Sequence, residues 1–249
     1  MLSAEEIIER LVARSKVVAG QTEGHWHSCR RVTVVEELDD KGGIAKRKTR
    51  EQQVVSTNGV ETVRLIRSQE GTTAGDDAEG GEGERKDRGD RKKESGRKGE
   101  KKSQTIDEEI LRRFNYTQAG EEMVGGRRNH VLVFTPKPVK ADADISDRLV
   151  GLLNGRIWVD ATEFELTRVD AHLSRTFEVL GGIAASIQRL DLAIERVPLP
   201  DGSWETGKMQ TEIQGRKMFS SLRSRYRMEQ DGFETGTVLP ARGAGGGQP

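Results

Sequence analysis

The sequence has few apolar, aromatic and cysteine residues, and each shortage excludes a class of protein. Only 33% of its 249 residues are hydrophobic and 4% are aromatic, which is too few for a chain that is globular throughout. No run approaches the about 18 apolar residues of a membrane span, and no signal-peptide pattern is visible. The single cysteine, Cys29, excludes an internal disulfide framework. Basic and acidic residues balance at 41 each, which argues against a nucleic-acid binder held by overall charge.

A charged segment divides the chain. Between Ile66 and Ile106 there is no Val, Ile, Leu, Met or aromatic residue, so this segment cannot bury enough apolar surface to offset the entropy of ordering it. We therefore predict a disordered surface loop over residues 70–103, and a second disordered piece in the glycine-rich tail, 241–249. The remaining residues, roughly 200, suffice for a single domain spanning 1–240 that the loop interrupts.

Capping patterns and helical spacing of apolar residues predict three helices. Ser3 followed by Glu6 forms a capping box, and apolar residues then recur at helical intervals until Gly20. A second capping box and a third apolar stripe, which Asn154-Gly155 ends, complete the set. The predicted helices are Ser3–Val18, Ile106–Arg113 and Asp144–Leu153.

Alternating residues separated by turn signals predict a long antiparallel meander. Asn58-Gly59 is a strong hairpin signal, because both positions tolerate positive φ. Sheets of eight or more strands usually curl or close, and the three helices are candidates to cover one face. The predicted fold is α+β, a curved antiparallel sheet that forms an incomplete, half-open β-barrel covered by short helices. The predicted strands are His25–Val34, Ile44–Ser56, Val60–Gln69, Asn115–Val124, Arg128–Pro136, Arg156–Asp160, Phe164–Phe177, Ile183–Val197, Trp204–Gln214 and Lys217–Phe233.

The best candidate for metal chemistry is one face of the first strand. His25, His27 and Cys29 alternate there, so their side chains point the same way. Since the apolar Val32 shares the other face with Trp26, we expect the histidine face to point to solvent, and we expect neither a metal nor a cofactor. No nucleophile elbow or phosphate-binding loop is present, so the sequence carries no enzyme signature.

Several short motifs in the second half resemble one family. They are Phe114–Thr117, Gly126–Arg128, Val131–Lys137, Gly155–Asp160 and Phe164–Val169. Together they resemble the bacterial outer-membrane lipoprotein-sorting (LolA-like) family. The resemblance implies a half-barrel lined by apolar residues that carries acyl chains through the periplasm. It also places the protein in the periplasm or cell envelope.

The leading functional hypothesis is a non-enzymatic carrier or binding protein for lipoprotein acyl chains or lipids. The alternative is a non-carrying cell-envelope module whose sheet and charged loop dock another protein, and a hydrolase is a distant third. We expect a monomer without nucleic-acid partners or a transmembrane segment. The predicted lining of the apolar cavity is Trp26, Leu65, Leu132, Phe134, Trp158, Phe164, Phe177 and Met209.

Overall fold

The computed structural model describes residues 2–21, 24–72, 108–140, 142–179, 182, 184–218 and 220–237. Within these ranges the chain forms three helices, namely α1 (Ala4–Gln21), α2 (Glu108–Arg112) and α3 (Ile145–Val150). The same ranges contain the strands β1 (His25–Leu38), β2 (Ile44–Thr57), β3 (Val60–Thr72), β4 (Phe114–Val124), β5 (Arg127–Pro136), β6 (Leu153–Asp160), β7 (Leu166–Leu173), β8 (Phe177–Val179), β9 (Ala185–Pro198), β10 (Trp204–Lys217) and β11 (Ser220–Thr237).

The strands form one antiparallel sheet that is open at both edges. Its order is β3-β2-β1-β11-β10-β9-β7-β6-β5-β4, and the short β8 pairs with β9. The edge strands β3 and β4 do not pair with each other in the described part of the chain. The predicted fold class is therefore confirmed as α+β, with an open antiparallel sheet and short helices.

One face of this sheet, here called the inner face, carries both the core and a cavity. Residues directly opposite each other on neighbouring strands share a face. Leu132 lies opposite Ile157, which lies opposite Val169. The same row continues through Ile194 to Met209 on β10. The inner face therefore runs without interruption from the β5 side of the sheet to the β10 side.

Helix α1 covers the β4–β7 half of the inner face. Ile7 and Leu11, one helical turn apart, are fully buried and pack with Leu132 and Phe134 in the main hydrophobic core. The Phe134 ring meets that of Phe114 edge to face at 4.8 Å between centroids. A packed core therefore closes this half of the sheet. Fully burying one such side chain stabilises the fold by about 1.5–3 kcal/mol.

Polar contacts fix α1 at its start and near its end. The predicted capping box is confirmed, because the Ser3 amide donates to Glu6 Oε2 at 2.7 Å and the Glu6 amide donates to Ser3 Oγ at 3.2 Å. Toward the end of the helix, Arg14 Nε lies 2.9 Å from Glu165 Oε1. Lys16 Nζ lies 2.7 Å from Glu108 Oε2 on α2.

The third helix is shorter than predicted. It starts after Asp144, whose side chain accepts a hydrogen bond from the Asp147 amide, and ends at Val150. Asn154-Gly155, predicted as its stop, lies inside β6 instead. Glycine is required there because a Cβ at Gly155 would come within 2.0 Å of the Asp170 carbonyl oxygen on β7.

The long strand predicted over Phe164–Phe177 is divided into β7 and β8. Phe164 lies in the turn after β6 with a φ of 55°, which is not a strand conformation. The turn is held by Asp160, whose side chain accepts hydrogen bonds from the amides of Thr162 at 2.9 Å and Glu163 at 2.7 Å. The sequence pattern continues through this turn, because a turn held by a buried carboxylate leaves no glycine or proline signal.

The boundary of the predicted loop is also different. Residues 70–72 belong to β3, and Glu70 pairs with Lys48 on β2. The rest of the predicted loop, residues 73–103, and the predicted tail, 241–249, lie outside the described residues. The chain leaves the sheet at one edge strand, β3, and returns through α2 to the other edge strand, β4.

Candidate functional site

The half of the inner face that lies beyond the core forms an open cavity of about 780 Å³. This volume is within the usual range for small-molecule sites. Strands β1, β2, β3, β10 and β11 supply its walls. The lining consists of His27, Arg31, Thr33, Val35, Glu37, Lys46, Lys48, Arg50, Gln52, Ser56, Glu61, Glu70, Glu205, Met209, Tyr226 and Met228.

A single row of opposed residues leads from a polar wall to an apolar floor. Ser68 on β3 lies opposite Arg50 on β2, and Arg50 lies opposite Thr33 on β1. The row continues through Met228 on β11 to Met209 on β10. Because this is the inner-face row that begins at Leu132, the methionine floor joins the core directly. The cavity is thus polar on one side and apolar on the other.

A basic row forms the β2 wall. We define it as Lys46, Lys48 and Arg50, alternate residues that all line the cavity. The ammonium groups of Lys46 and Lys48 both contact the Glu70 carboxylate, at 2.6 Å and 3.1 Å. Hydrogen bonds from these two lysines lower the pKa of Glu70, since they stabilise its charged form.

The opposite end of the cavity carries a second polar group of residues. His27 Nε2 lies 3.6 Å from Glu205 Oε1. Burial raises the pKa of Glu205, and the nearby charges of His27 and Arg196 oppose this effect only in part. Beside this pair, Arg31 Nη2 lies 3.2 Å from Glu61 Oε1. At this end of the cavity, Glu61 therefore has Arg31 as an ion-pair partner, and Glu205 lies beside His27.

The predicted orientation of the first strand is wrong. The face that carries His27 also carries Thr33 and lines the cavity, whereas Trp26 is on the outer face opposite Gly236. Apolar residues occur on both faces of β1, so the alternation alone could not identify the inner one. The Trp26 ring packs over Gly236, where a Cβ would lie 2.6 Å from Trp26 Nε1.

The three candidate metal ligands on β1 lie in different surroundings. Cys29 is 1% exposed, and its Sγ lies 3.7 Å from Gln230 Oε1. Burial raises the pKa of this thiol to about 11, so the thiolate that a metal would need is disfavoured. His25 is exposed, while His27 faces Glu205. In the part of the chain that the structure describes, no three His, Cys, Asp or Glu side chains form a metal-binding group.

The predicted lining residues are distributed over several environments. Met209 lines the cavity. Leu132 and Phe134 are 0% and 5% exposed and lie in the packed core under α1. Phe164 packs against this core and stacks on His130 at 6.3 Å between ring centroids. Only one of these four side chains therefore contacts the open space.

Three other residues predicted to line the cavity are not among its lining residues. Trp158 is on the outer face, where Arg168 covers its ring at 4.9 Å and its indole nitrogen donates to Glu122 at 2.8 Å. Leu65, on the edge strand β3, is 55% exposed. Phe177 is buried near α3, with the Arg148 guanidinium 5.7 Å from its ring.

Sequence reasoning missed most of the cavity residues. The basic row, Tyr226 and Met228 all line the cavity but were not predicted. The cationic alternation on β2 is visible in the sequence, but it becomes a signal only once the inner face is known. The large apolar side chains Leu132 and Phe134, which we predicted to line the cavity, lie in the packed core instead.

None of the helices in the described ranges is long and apolar enough to cross a membrane. No protein-family model matches the chain, and no curated protein matches its sequence.

Solved structures with similar arrangements exist at low sequence identity. A LolA superfamily protein from Nitrosomonas europaea is 10% identical, with 94% of each chain covered and a TM-score of 0.36. A DUF1329 family protein from Desulfovibrio piger is 12% identical, with 96% of each chain covered and a TM-score of 0.38. A domain assigned to outer membrane lipoprotein sorting, from Vibrio parahaemolyticus, is 10% identical, covers 94% of this chain and 95% of its own, and has a TM-score of 0.34.

Proposed function

We propose that this protein is a non-enzymatic binding protein that holds an amphiphile, a lipid or a lipoprotein acyl chain, in its inner-face cavity. The observation that carries the proposal is the row from Arg50 to Met209, which joins a charged wall to a methionine floor inside one open cavity. We place this activity in the periplasm or cell envelope, in keeping with the family that the sequence resembles.

The floor supplies the apolar part of such a site. Met209 and Met228 lie side by side on β10 and β11, with Val35 and Tyr226 in the next row along β1 and β11. Methionine side chains are flexible and polarizable, so they adapt to irregular apolar ligands. Burying an alkyl chain against them contributes about 25 cal/mol per Å² of apolar surface removed from water.

The charged walls of the cavity favour an amphiphile over a plain hydrocarbon. Charged side chains from β1, β2, β3 and β10 face the same space, and covering them with a purely apolar molecule would cost their hydration without replacing it. An amphiphile avoids this cost, because its polar end remains among the charges while its chain lies on the methionine floor.

A second candidate is the cell-envelope module that docks another protein. It is favoured by the edge strand β3, where Val60, Val63, Leu65 and Ile66 are between 44% and 57% exposed. Within the described ranges, this edge offers backbone groups without a partner strand together with apolar side chains, the features used when a strand is added from a partner. The two candidates make opposite predictions for ligand binding by the isolated protein.

Binding of a fluorescent fatty acid by purified protein separates these candidates. We expect saturable binding by the wild type. Met209→Trp fills the cavity floor and should weaken binding at least tenfold, whereas Met123→Trp, at a residue 67% exposed outside the cavity, should leave it unchanged. Leu132 is unsuitable for this test, because a larger side chain in the packed core would destabilise the protein by overpacking.

The controls are thermal unfolding of each variant and organic extraction of the purified wild type for co-purifying lipid. Absence of saturable binding by folded wild-type protein would contradict the proposal and leave the protein-docking module as the better explanation. Equal loss of binding in both tryptophan variants would also contradict it, because the bound molecule would then not occupy the cavity.

A further inference from the structure

The basic row on β2 is not uniformly neutralised. Lys46 and Lys48 converge on the Glu70 carboxylate, and Lys46 also lies opposite Glu37 on β1. Arg50, the third member of the row, is exposed and has no side-chain hydrogen bond or ion pair within the described ranges. The row therefore ends in an uncompensated cation that faces the cavity.

The contact with Glu70 shows that the basic row can bind a carboxylate group. Two ammonium groups on alternate residues of one strand reach the two oxygens of a single carboxylate, Oε1 and Oε2. The spacing of β2 thus suits an anion of carboxylate size. Since Arg50 continues the same alternation, its guanidinium offers a forked donor at the next position, and such donors bind carboxylates and phosphates well.

Hydroxyl groups flank Arg50 on both sides. Thr33 on β1 and Ser68 on β3 lie directly opposite it in the inner-face row. Neither position carries a negative charge, so no acidic residue competes for Arg50 within its own row. An anion at this point would have a cation and two neighbouring hydroxyls as hydrogen-bond donors.

The position of Arg50 relative to the floor sets the geometry of a ligand. Three strand intervals separate β2 from β10, which corresponds to ~14 Å at the usual spacing between strands. A chain that starts at Arg50 and runs along the row passes Met228 and then Met209. The acids at the other end of the cavity, Glu61 and Glu205, already have Arg31 and His27 beside them.

We propose that Arg50 and the adjoining basic row bind the anionic head group of the amphiphile, a carboxylate or a phosphate joined to the alkyl chain. This inference rests on the proposed function and specifies the charge and orientation of its ligand. The head group lies between Thr33 and Ser68, and the chain crosses β1 toward the methionine floor.

The test compares head groups on a constant chain. Dodecanoate, dodecyl phosphate and a neutral dodecyl polyoxyethylene ether are titrated by calorimetry into the full-length protein, below their micelle concentrations, together with inorganic phosphate alone. We expect the two anions to bind about tenfold more tightly than the neutral ether, as for a charge-assisted hydrogen bond. Arg50→Gln should remove this preference, so that the two anions bind no more tightly to the variant than the neutral ether does.

Arg64→Gln is the matched control. Arg64 is an exposed arginine on the neighbouring strand β3, opposite Gln53 and therefore on the outer face. Its loss changes the net charge by the same amount as Arg50→Gln but should not alter binding of any probe. Circular dichroism establishes that both variants are folded, which we expect because neither side chain is buried.

The outcomes distinguish this inference from the proposed function. Equal affinity for all three head groups would overturn the proposal that the cavity binds an anionic head group, and would leave the proposed amphiphile cavity unaffected. A preference for anions that survives Arg50→Gln, or that Arg64→Gln removes equally, would overturn the assignment to the basic row. Inorganic phosphate binding as tightly as dodecyl phosphate would overturn the link to an alkyl chain. Failure of every probe to bind would overturn the proposed function itself.

Discussion

Leu132 and Leu65 are both leucines on β-strands, yet their surroundings in the fold differ. Leu132 is 0% exposed beneath α1, whereas Leu65 is 55% exposed on the edge strand β3. We expect Leu132→Ala to lower the free energy of unfolding by about 2–5 kcal/mol, because it leaves a cavity in a packed core.

The paired variant is Leu65→Ala. The change at this exposed residue should stay within about 0.5 kcal/mol. Urea denaturation followed by circular dichroism measures both. Similar losses of stability in the two variants would contradict this expectation, because they would show that Leu65 is covered in solution.

Asp160 provides a pH-dependent contribution to stability. Burial alone would raise its pKa, but hydrogen bonds from Arg127 and from the amides of Glu163 and Thr162 outweigh burial and hold the pKa below its ordinary value. The charged form is therefore favoured in the folded state. Its stabilising effect is complete above the pKa of the unfolded chain, about 4, and is lost as the pH falls through the lower folded value.

Asp160→Asn measures this contribution. At neutral pH we expect it to lower the free energy of unfolding by about 2 kcal/mol, since it weakens charge-assisted hydrogen bonds. As the pH falls below about 4, the difference from the wild type should shrink, because Asp160 becomes protonated first in the unfolded chain and, at lower pH, in the folded protein as well. Denaturant unfolding at a series of pH values measures the difference. A gap that stays constant down to pH values of about 2 would contradict the assignment.

At the scale of elements, the β2–β3 hairpin follows directly from its turn sequence. Asn58 and Gly59 have φ values of 52° and 76°, as the Asn-Gly signal predicts for this tight turn. Gly59→Ala forces a side chain into this conformation and should cost about 1 kcal/mol in the free energy of unfolding.

Gly71→Ala, on the same hairpin, is the control. Among the described residues, a Cβ there would meet no atom within 4 Å, and Gly71 does not have positive φ. We therefore expect no loss of stability in thermal or urea unfolding of this variant. Equal losses at the two glycines would show that the hairpin is sensitive to any added side chain, and the turn geometry would not be the cause.

The elements also show what sequence reasoning can and cannot establish. The Asn58-Gly59 hairpin and the capping box at Ser3 and Glu6 were predictable because their signals lie within a few residues of each other. The second predicted capping box begins at Thr105, outside the described residues.

The identity of the inner face was not predictable, because a one-residue shift in register exchanges the two faces of a strand. Strand β1 shows this limit. The register of its pairing with β11 shifts between Ser28 and Arg30, and the residue that faces the cavity is His27, not Trp26.

At the scale of the whole molecule, the predicted single domain depends on a connection between opposite edges of the sheet. The chain leaves β3 at Thr72 and re-enters at Glu108, ahead of β4. We predict that the segment between them contributes little to stability. A short turn is a poor replacement, because the two ends belong to different edges.

A twenty-residue Gly-Ser linker in place of residues 74–103 tests this prediction. Such a linker has a typical end-to-end distance of ~25 Å. Because the entropy of loop closure varies slowly with length, we expect the free energy of unfolding to change by no more than about 1–2 kcal/mol. A Gly-Ser replacement of unchanged length controls for composition. Loss of cooperative unfolding in both variants would contradict the prediction.

The two halves of the inner face differ, because one forms the packed core and the other forms the open cavity. The large apolar side chains that the sequence marks as cavity lining, above all Leu132 and Phe134, close the core with α1. The open half is left with methionines and charges. Large apolar residues in the sequence therefore indicate the core, whereas the cavity residues are identified only by the register of the strands.

The most direct test of the amphiphile cavity is a methyl NMR titration of protein labelled at its methionine methyl groups. Met209 and Met228 line the cavity, while Met123 and Met218 are 67% and 61% exposed elsewhere. On addition of dodecanoate, the signals of Met209 and Met228 should shift together and saturate, and those of Met123 and Met218 should stay in place. Shifts confined to Met123 and Met218, or no saturable shift at either cavity methionine, would contradict the account.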